Sequence, residues 1–176
     1  MNTAGWTISI IAIVIALVVA FRWERSSGGS TDDLRDATGA AFEFMSPSWI
    51  AMARREITRA LSRQDLDVEP FTLSEEFTDP PAHLARGAGT IGFAVRIGHG
   101  DVEVVDHPSA DADVRVISDY ADALELARDP DAASADPDEA RRRLAEGRLR
   151  IEGDPTGMPD QLQALDIHRL LARHTA

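Results

Sequence analysis

Side chains able to do chemistry stand in few groupings along this 176-residue chain. Glu75 and Glu76 are neighbours. On an extended strand they point to opposite faces, and Glu75 shares its parity with Phe71, Leu73 and Phe77. That sets one carboxylate against an apolar face, where it would act as a polar handle for a ligand headgroup or hydroxyl. The plainer reading is a strand-end charge reaching solvent. His99, Asp101, His107 and Asp111 gather around a Gly-His-Gly turn. A metal centre needs three or four ligands converging on one point, and aspartate beside a turn is ordinary turn chemistry, so no metal is expected. His168 and His174 have a spacing that does not bring two helical residues onto one face. Arg141, Arg142 and Arg143 could meet a carboxylate at the mouth of a cavity or form a solvated helix face. With no cysteine in the chain, disulfides, thiolate ligands and cysteine nucleophiles are excluded. No Ser-His-Asp arrangement, phosphate loop or dinucleotide fingerprint stands out, so neither catalysis nor a cofactor is expected.

What remains is apolar: Phe71, Phe77, Ile91, Phe93, Val95, Val104, Val116, Leu144, Leu149, Ile151, Met158, Leu162 and Leu165. Taken singly, each is best read as ordinary core. Met158 is the most adaptable, because a thioether accommodates varied neighbours.

The elements that must position these residues follow from periodicity. Ser46-Pro47 is a helix start, an N-cap followed by proline at the first helical position. Ile50, Ala53, Ile57, Ala60 and Leu61 then recur at helical spacing to near Arg63. Residues 70–78 alternate as a strand that ends at Pro80-Pro81. In 89–97, Ile91, Phe93, Val95 and Ile97 share one face, and a turn at Gly98-His99-Gly100 joins them to a strand over 101–105. Residues 113–118 are a fourth strand. Asp119 caps a short helix that ends at Asp129-Pro130. A second helix opens at Asp136-Pro137-Asp138-Glu139 and stops at Gly147. Residues 148–152 alternate again, and one last helix starts at Pro159 and carries Leu162, Leu165, Leu170 and Leu171. Hairpin-linked strands followed by helices predict an α+β domain, a five-stranded sheet covered on one face by helices.

Residues 6–21 form an uncharged, apolar run, and the uncharged stretch begins at Thr3. At ~1.5 Å per residue it matches a bilayer core of about 30 Å, and Trp6 and Trp23 flank it at headgroup level. The expected organisation is a transmembrane anchor over 1–23, a flexible linker over 24–44 and a folded domain over 45–176. Such a linker spans roughly 20–25 Å on average. Arg22 and Arg25 follow the span and no basic residue precedes it, which predicts a cytoplasmic domain in the cell membrane. The net charge of −12 opposes phosphate backbones, so nucleic acid is not an expected partner.

The segment ADADVRVISDYADALELARDP, then a helix, then EGRLRIEGDPTGMPDQLQAL, resembles the sterol-carrier-protein-2-like lipid-transfer family. SPSWIAMARREI and FTLSEEFTDPP are similar to its bacterial members. The resemblance covers roughly residues 45–174. It implies a five-stranded sheet with helices on one face and an apolar tunnel between them for a sterol, fatty acid or acyl chain. The thirteen apolar residues named above would then be its lining. Two departures stand out: the chain ends Arg173-His174-Thr175-Ala176 rather than in a peroxisomal tripeptide, and a tether replaces the freely diffusing form. Extraction or presentation of a lipid at one membrane is the function implied. The alternative is a protein-interaction or accessory module of the same fold, its core filled, recruiting a membrane or lipid-metabolic enzyme.

Overall fold

The computed structural model of the chain describes residues 41–85, 89–131 and 137–176. The expected anchor over 1–23 and most of the expected linker lie outside the described residues. Among the described residues, no helix is long and apolar enough to cross a membrane.

The first helix, α1, spans Pro47–Leu61. Ser46 caps it, its hydroxyl accepting from the Trp49 N–H at 3.2 Å, and Pro47 fills the first turn where no backbone donor is needed. Strands follow at Phe71–Thr78 (β1), Thr90–Gly98 (β2), Asp101–Val105 (β3) and Val114–Asp119 (β4). Helix α2 covers Tyr120–Arg128, with Asp119 accepting from the Ala121 N–H at 2.8 Å as its cap. Helix α3 covers Pro137–Ala145 and β5 covers Leu149–Gly153. A 3-10 turn at Pro155–Gly157 leads to α4 (Asp160–Gln163) and α5 (Ile167–Ala172).

The five strands form one mixed sheet in the order β3-β2-β1-β4-β5. The β2–β3 hairpin turns where the alternation predicts it, with His99 and Gly100 both at positive φ. Strand β1 is central: antiparallel to β2, with Glu75 opposite Phe93, and parallel to β4, with Glu75 opposite Val116.

Two differences from the sequence reading have clear causes. The last helix is not continuous. Ala164 closes α4 by donating to the Asp160 carbonyl, and Asp166 starts α5 by accepting from the Arg169 N–H at 3.0 Å. An aspartate competing for local backbone donors ends one helix and opens the next. Packing also reaches N-terminal of residue 45: Phe44 is buried, and Phe42 pairs in parallel with Thr175.

The helices lie on the face that carries Phe71, Leu73, Phe77, Phe93, Val95 and Val104. The opposite face is not bare. Ser74, Ala94 and Ile117 are buried there, and Ser74 Oγ accepts from the Ser109 N–H at 3.0 Å, which brings the segment after β3 across the sheet. Helix α1 lies over the β2–β3 half and guards the outer strand, with Arg54 Nε donating to the Val104 carbonyl at 2.9 Å. Trp49, Ile57 and Leu61 fill this half together with Phe93, Val95 and Ile97. A ladder of rings, Phe44–Tyr120 at 5.5 Å, Phe44–Phe77 at 5.2 Å and Phe77–Phe93 at 6.5 Å, runs along the boundary with the other half.

Candidate functional site

Beyond that ladder, the β1–β4–β5 half of the sheet and helices α2–α5 border a part-open cavity of about 160 Å³. Its floor is Leu73, Glu75 and Phe77 from β1, Val116 and Ser118 from β4, and Leu149 and Ile151 from β5. Its roof is Ala123 and Leu126 from α2, Ala140 from α3, Met158, Leu162 and Gln163 around α4, Leu165 from the break, and Ile167 and His168 from α5. Leu165 and His168 stand three residues apart, the helical spacing that shares a face, and both line this space.

Of the thirteen apolar residues singled out in the sequence, Phe77, Val116, Leu149, Ile151, Met158, Leu162 and Leu165 line this cavity. Phe71, Phe93, Val95 and Val104 are not brought to it; they are buried in the core, and Ile91 packs beside them, partly buried. Leu144 is half-buried on α3, one residue from the lining Arg143.

Glu75 sits at the centre of the apolar face and is only 8% exposed. This is the inward placement, not the solvent-facing one. Burial pushes its carboxyl above the ordinary carboxylate range, and the nearby His168 pulls it part of the way back. His168 Nε2 stands 3.7 Å from Glu75 Oε2, close enough to feel its charge and too far for a hydrogen bond. The other ring nitrogen, Nδ1, is buried and has no partner among the described residues.

A second polar group lines the cavity, and it is satisfied. Arg143 Nε donates to Glu139 Oε1 at 2.7 Å, and Arg142 holds Glu139 Oε2 at 2.6 Å. These two arginines keep the Glu139 carboxyl below its usual range. Asp122 is paired with Arg148 at 2.6 Å. The arginine run is therefore divided in use, with Arg143 on the cavity and Arg141 paired in solvent with Asp138 at 2.5 Å.

Periodicity did not identify Leu73, Ser118, Ala123, Leu126, Ala140, Ile167 or His168 as lining. Leu73 and Ser118 keep the parity of the residues that were named, and Ala123 and Leu126 are one helical turn apart, so the pattern was present. His168 stands three residues after Leu165, the same helical spacing. His99, Asp101, His107 and Asp111 are all exposed, and among the described residues no three His, Asp or Glu side chains are placed to hold a metal ion.

The architecture is a five-stranded mixed α+β sheet with helices over a part-open apolar pocket. Among solved structures, sterol carrier protein 2 is similar, at 18% identity and TM-score 0.48, over 76% of this chain and 100% of that one. A conserved hypothetical protein from Thermus thermophilus, for which a sterol-carrier role is suggested, matches at 17% identity and TM-score 0.43, over 86% and 96% of the two chains. UbiJ-SCP2, a ubiquinone synthesis protein, matches at 17% and 0.37, over 71% and 94%. No family model and no curated protein matches the chain.

Proposed function

We propose that the chain is a membrane-tethered lipid-binding protein that holds an apolar ligand in the cavity under α2–α5 and performs no covalent step on it. The observation that supports this is the contrast between the halves of one sheet face. The β2–β3 half is filled by α1, whereas the β1–β4–β5 half borders about 160 Å³ of part-open space lined mainly by Leu, Ile, Val, Phe and Met side chains. An empty apolar space forfeits dispersion contacts and destabilises a fold. A ligand that fills it restores them, with burial worth about 0.8 kcal/mol per methylene. Residues 3–21 would hold the protein in the bilayer, and the expected linker, shortened to 24–41 by the packing of Phe42 and Phe44, would act as the tether. Arg22 and Arg25 would keep the domain on the cytoplasmic side. The ligand would then be taken from, or presented to, one membrane.

Native mass spectrometry of the full-length protein, followed by solvent extraction, tests the reading. A co-purified lipid, and a rise in unfolding temperature with added lipid, are the expected results. A ligand-free protein whose stability responds to no lipid would overturn it and leave the interaction-module alternative. Carbonate washing of membranes tests the tether: the protein should stay in the pellet, and recovery in solution without detergent would refute the anchor. Protease added to intact cells should spare residues 45–176.

A further inference from the structure

We propose that Glu75 and His168 form a hydroxyl-recognition station in the cavity wall, and that the ligand is a neutral alkyl alcohol rather than a fatty-acid anion. The inference rests on the lipid-binding reading and names the headgroup that the cavity selects.

A carboxyl group in the middle of an apolar sheet face is costly unless it is hydrogen-bonded. Glu75 stands opposite Phe93 on one side and Val116 on the other, so neither neighbouring strand offers its side chain a polar partner. His168 approaches with Nε2 but stops at 3.7 Å, which leaves the Glu75 carboxyl without a hydrogen bond among the described residues. The other ionic groups lining the cavity complete each other: Glu139 with Arg142 and Arg143, and Asp122 with Arg148. Among the ionic groups of the lining, the Glu75 carboxyl and the His168 Nε2 that faces it are thus the ones left without a hydrogen bond.

The group that fits between them must donate and accept. A hydroxyl does both. It can donate to the Glu75 carboxylate while accepting from an imidazole N–H, and the reverse arrangement serves a protonated Glu75 facing an unprotonated ring nitrogen. A carboxylate ligand would put a second negative charge against Glu75, which is disfavoured. An ether offers no donor. The volume, about 160 Å³, is close to the ~150 Å³ engineered cavity that accepts benzene, which suits a slim alkyl segment better than a fused ring system.

The test is calorimetric titration of the full-length protein with 1-decanol, decyl methyl ether and decanoate, in one detergent at one concentration. Wild type, Glu75→Leu and His168→Phe are compared, so that partitioning cancels in the alcohol-to-ether affinity ratio. The expected result is a drop in that ratio on the order of tenfold in either variant, the size of one hydrogen bond to a charged group. In wild type, 1-decanol should bind more tightly than decanoate, and the His168 ring ¹⁵N resonances should move with 1-decanol and not with the ether. If the alcohol and the ether both bind and neither variant changes their ratio, the cavity reading survives and the station is refuted. Tighter binding of decanoate than of 1-decanol in wild type also refutes it. If none of the three binds wild type, the lipid-binding reading falls together with it.

Discussion

The indole Nε1 of Trp49 donates to Thr175 Oγ1 at 2.9 Å, tying the first turn of α1 to the next-to-last residue of the chain. Trp49 is among the most buried side chains in the domain. Its single donor has no access to water, so the pairing matters more when broken than when made. Thr175→Val keeps the shape and removes the acceptor. It should cost about 1–3 kcal/mol, read as a lower urea midpoint at unchanged m-value.

The two halves of the sheet face should respond differently to truncation. Phe93 lies in the filled half against Trp49, at a ring separation of 6.1 Å. Phe93→Ala should cost about 3–5 kcal/mol, the full cavity cost. Leu149, half-buried beside space that already exists, should cost less than about 2 kcal/mol when cut to alanine. Added lipid should raise the unfolding temperature of Leu149→Ala by more than that of Phe93→Ala. Equal losses and no lipid response in either variant would argue for a filled core throughout.

Glu75 makes the stability of the domain depend on pH with a definite sign. Its carboxyl is raised from the ordinary 4.5 by burial, so the folded state holds the proton more tightly than the unfolded state. Below that ordinary value both states are protonated and Glu75 contributes nothing to the slope. As pH rises above it, the unfolded chain releases its proton first and stability falls until the folded carboxyl also ionises. Glu75→Gln should remove this part of the slope and should be more stable than wild type at neutral pH. Urea unfolding between pH 4 and pH 8 measures both. A wild-type slope that survives the substitution would assign it to other groups.

Gly92 sets how closely β2 approaches the residue at the centre of the site. A Cβ built there would lie 2.0 Å from the Glu75 carbonyl oxygen. Backbone must therefore move, and Gly92→Ala should destabilise by about 2 kcal/mol or more. It should also weaken whatever binding depends on Glu75, even though Gly92 lines no part of the cavity. A variant as stable as wild type would show that the strand pair yields without strain.

Alternation was enough to place the strands because a residue on one face of a pleat has neighbours two positions away. Ile91, Phe93, Val95 and Ile97 follow from that rule alone. Alternation identifies the face of the sheet but not the half of that face. Phe93 and Val116 have the same pattern in sequence, yet one packs under α1 and the other opens on the cavity. The difference lies in the strand order, which places β4 and β5 beyond β1 and away from α1, and no local pattern encodes it. Glu75 was misjudged for the same reason. Adjacent Glu76 made the pair look like a charged strand end, whereas β1 has partners on both sides along that stretch. His168 is legible by the same rule, three residues from Leu165, but a histidine among leucines is weighed first as a ligand partner of His174, whose spacing does not suit it.

The short pairing of Phe42 with the C-terminal residues has a mechanical consequence. Phe42 donates to the His174 carbonyl and accepts from the Ala176 N–H, each at 2.8 Å. Any pull transmitted along the chain from residues before 41 reaches the domain at this clip. From there it divides between α1, through the Trp49 link to Thr175, and α5, which ends just before the clip. Because α5 also carries Ile167 and His168 of the cavity roof, a pull arriving at the clip would reach the pocket through its roof and not through the floor strands β1, β4 and β5.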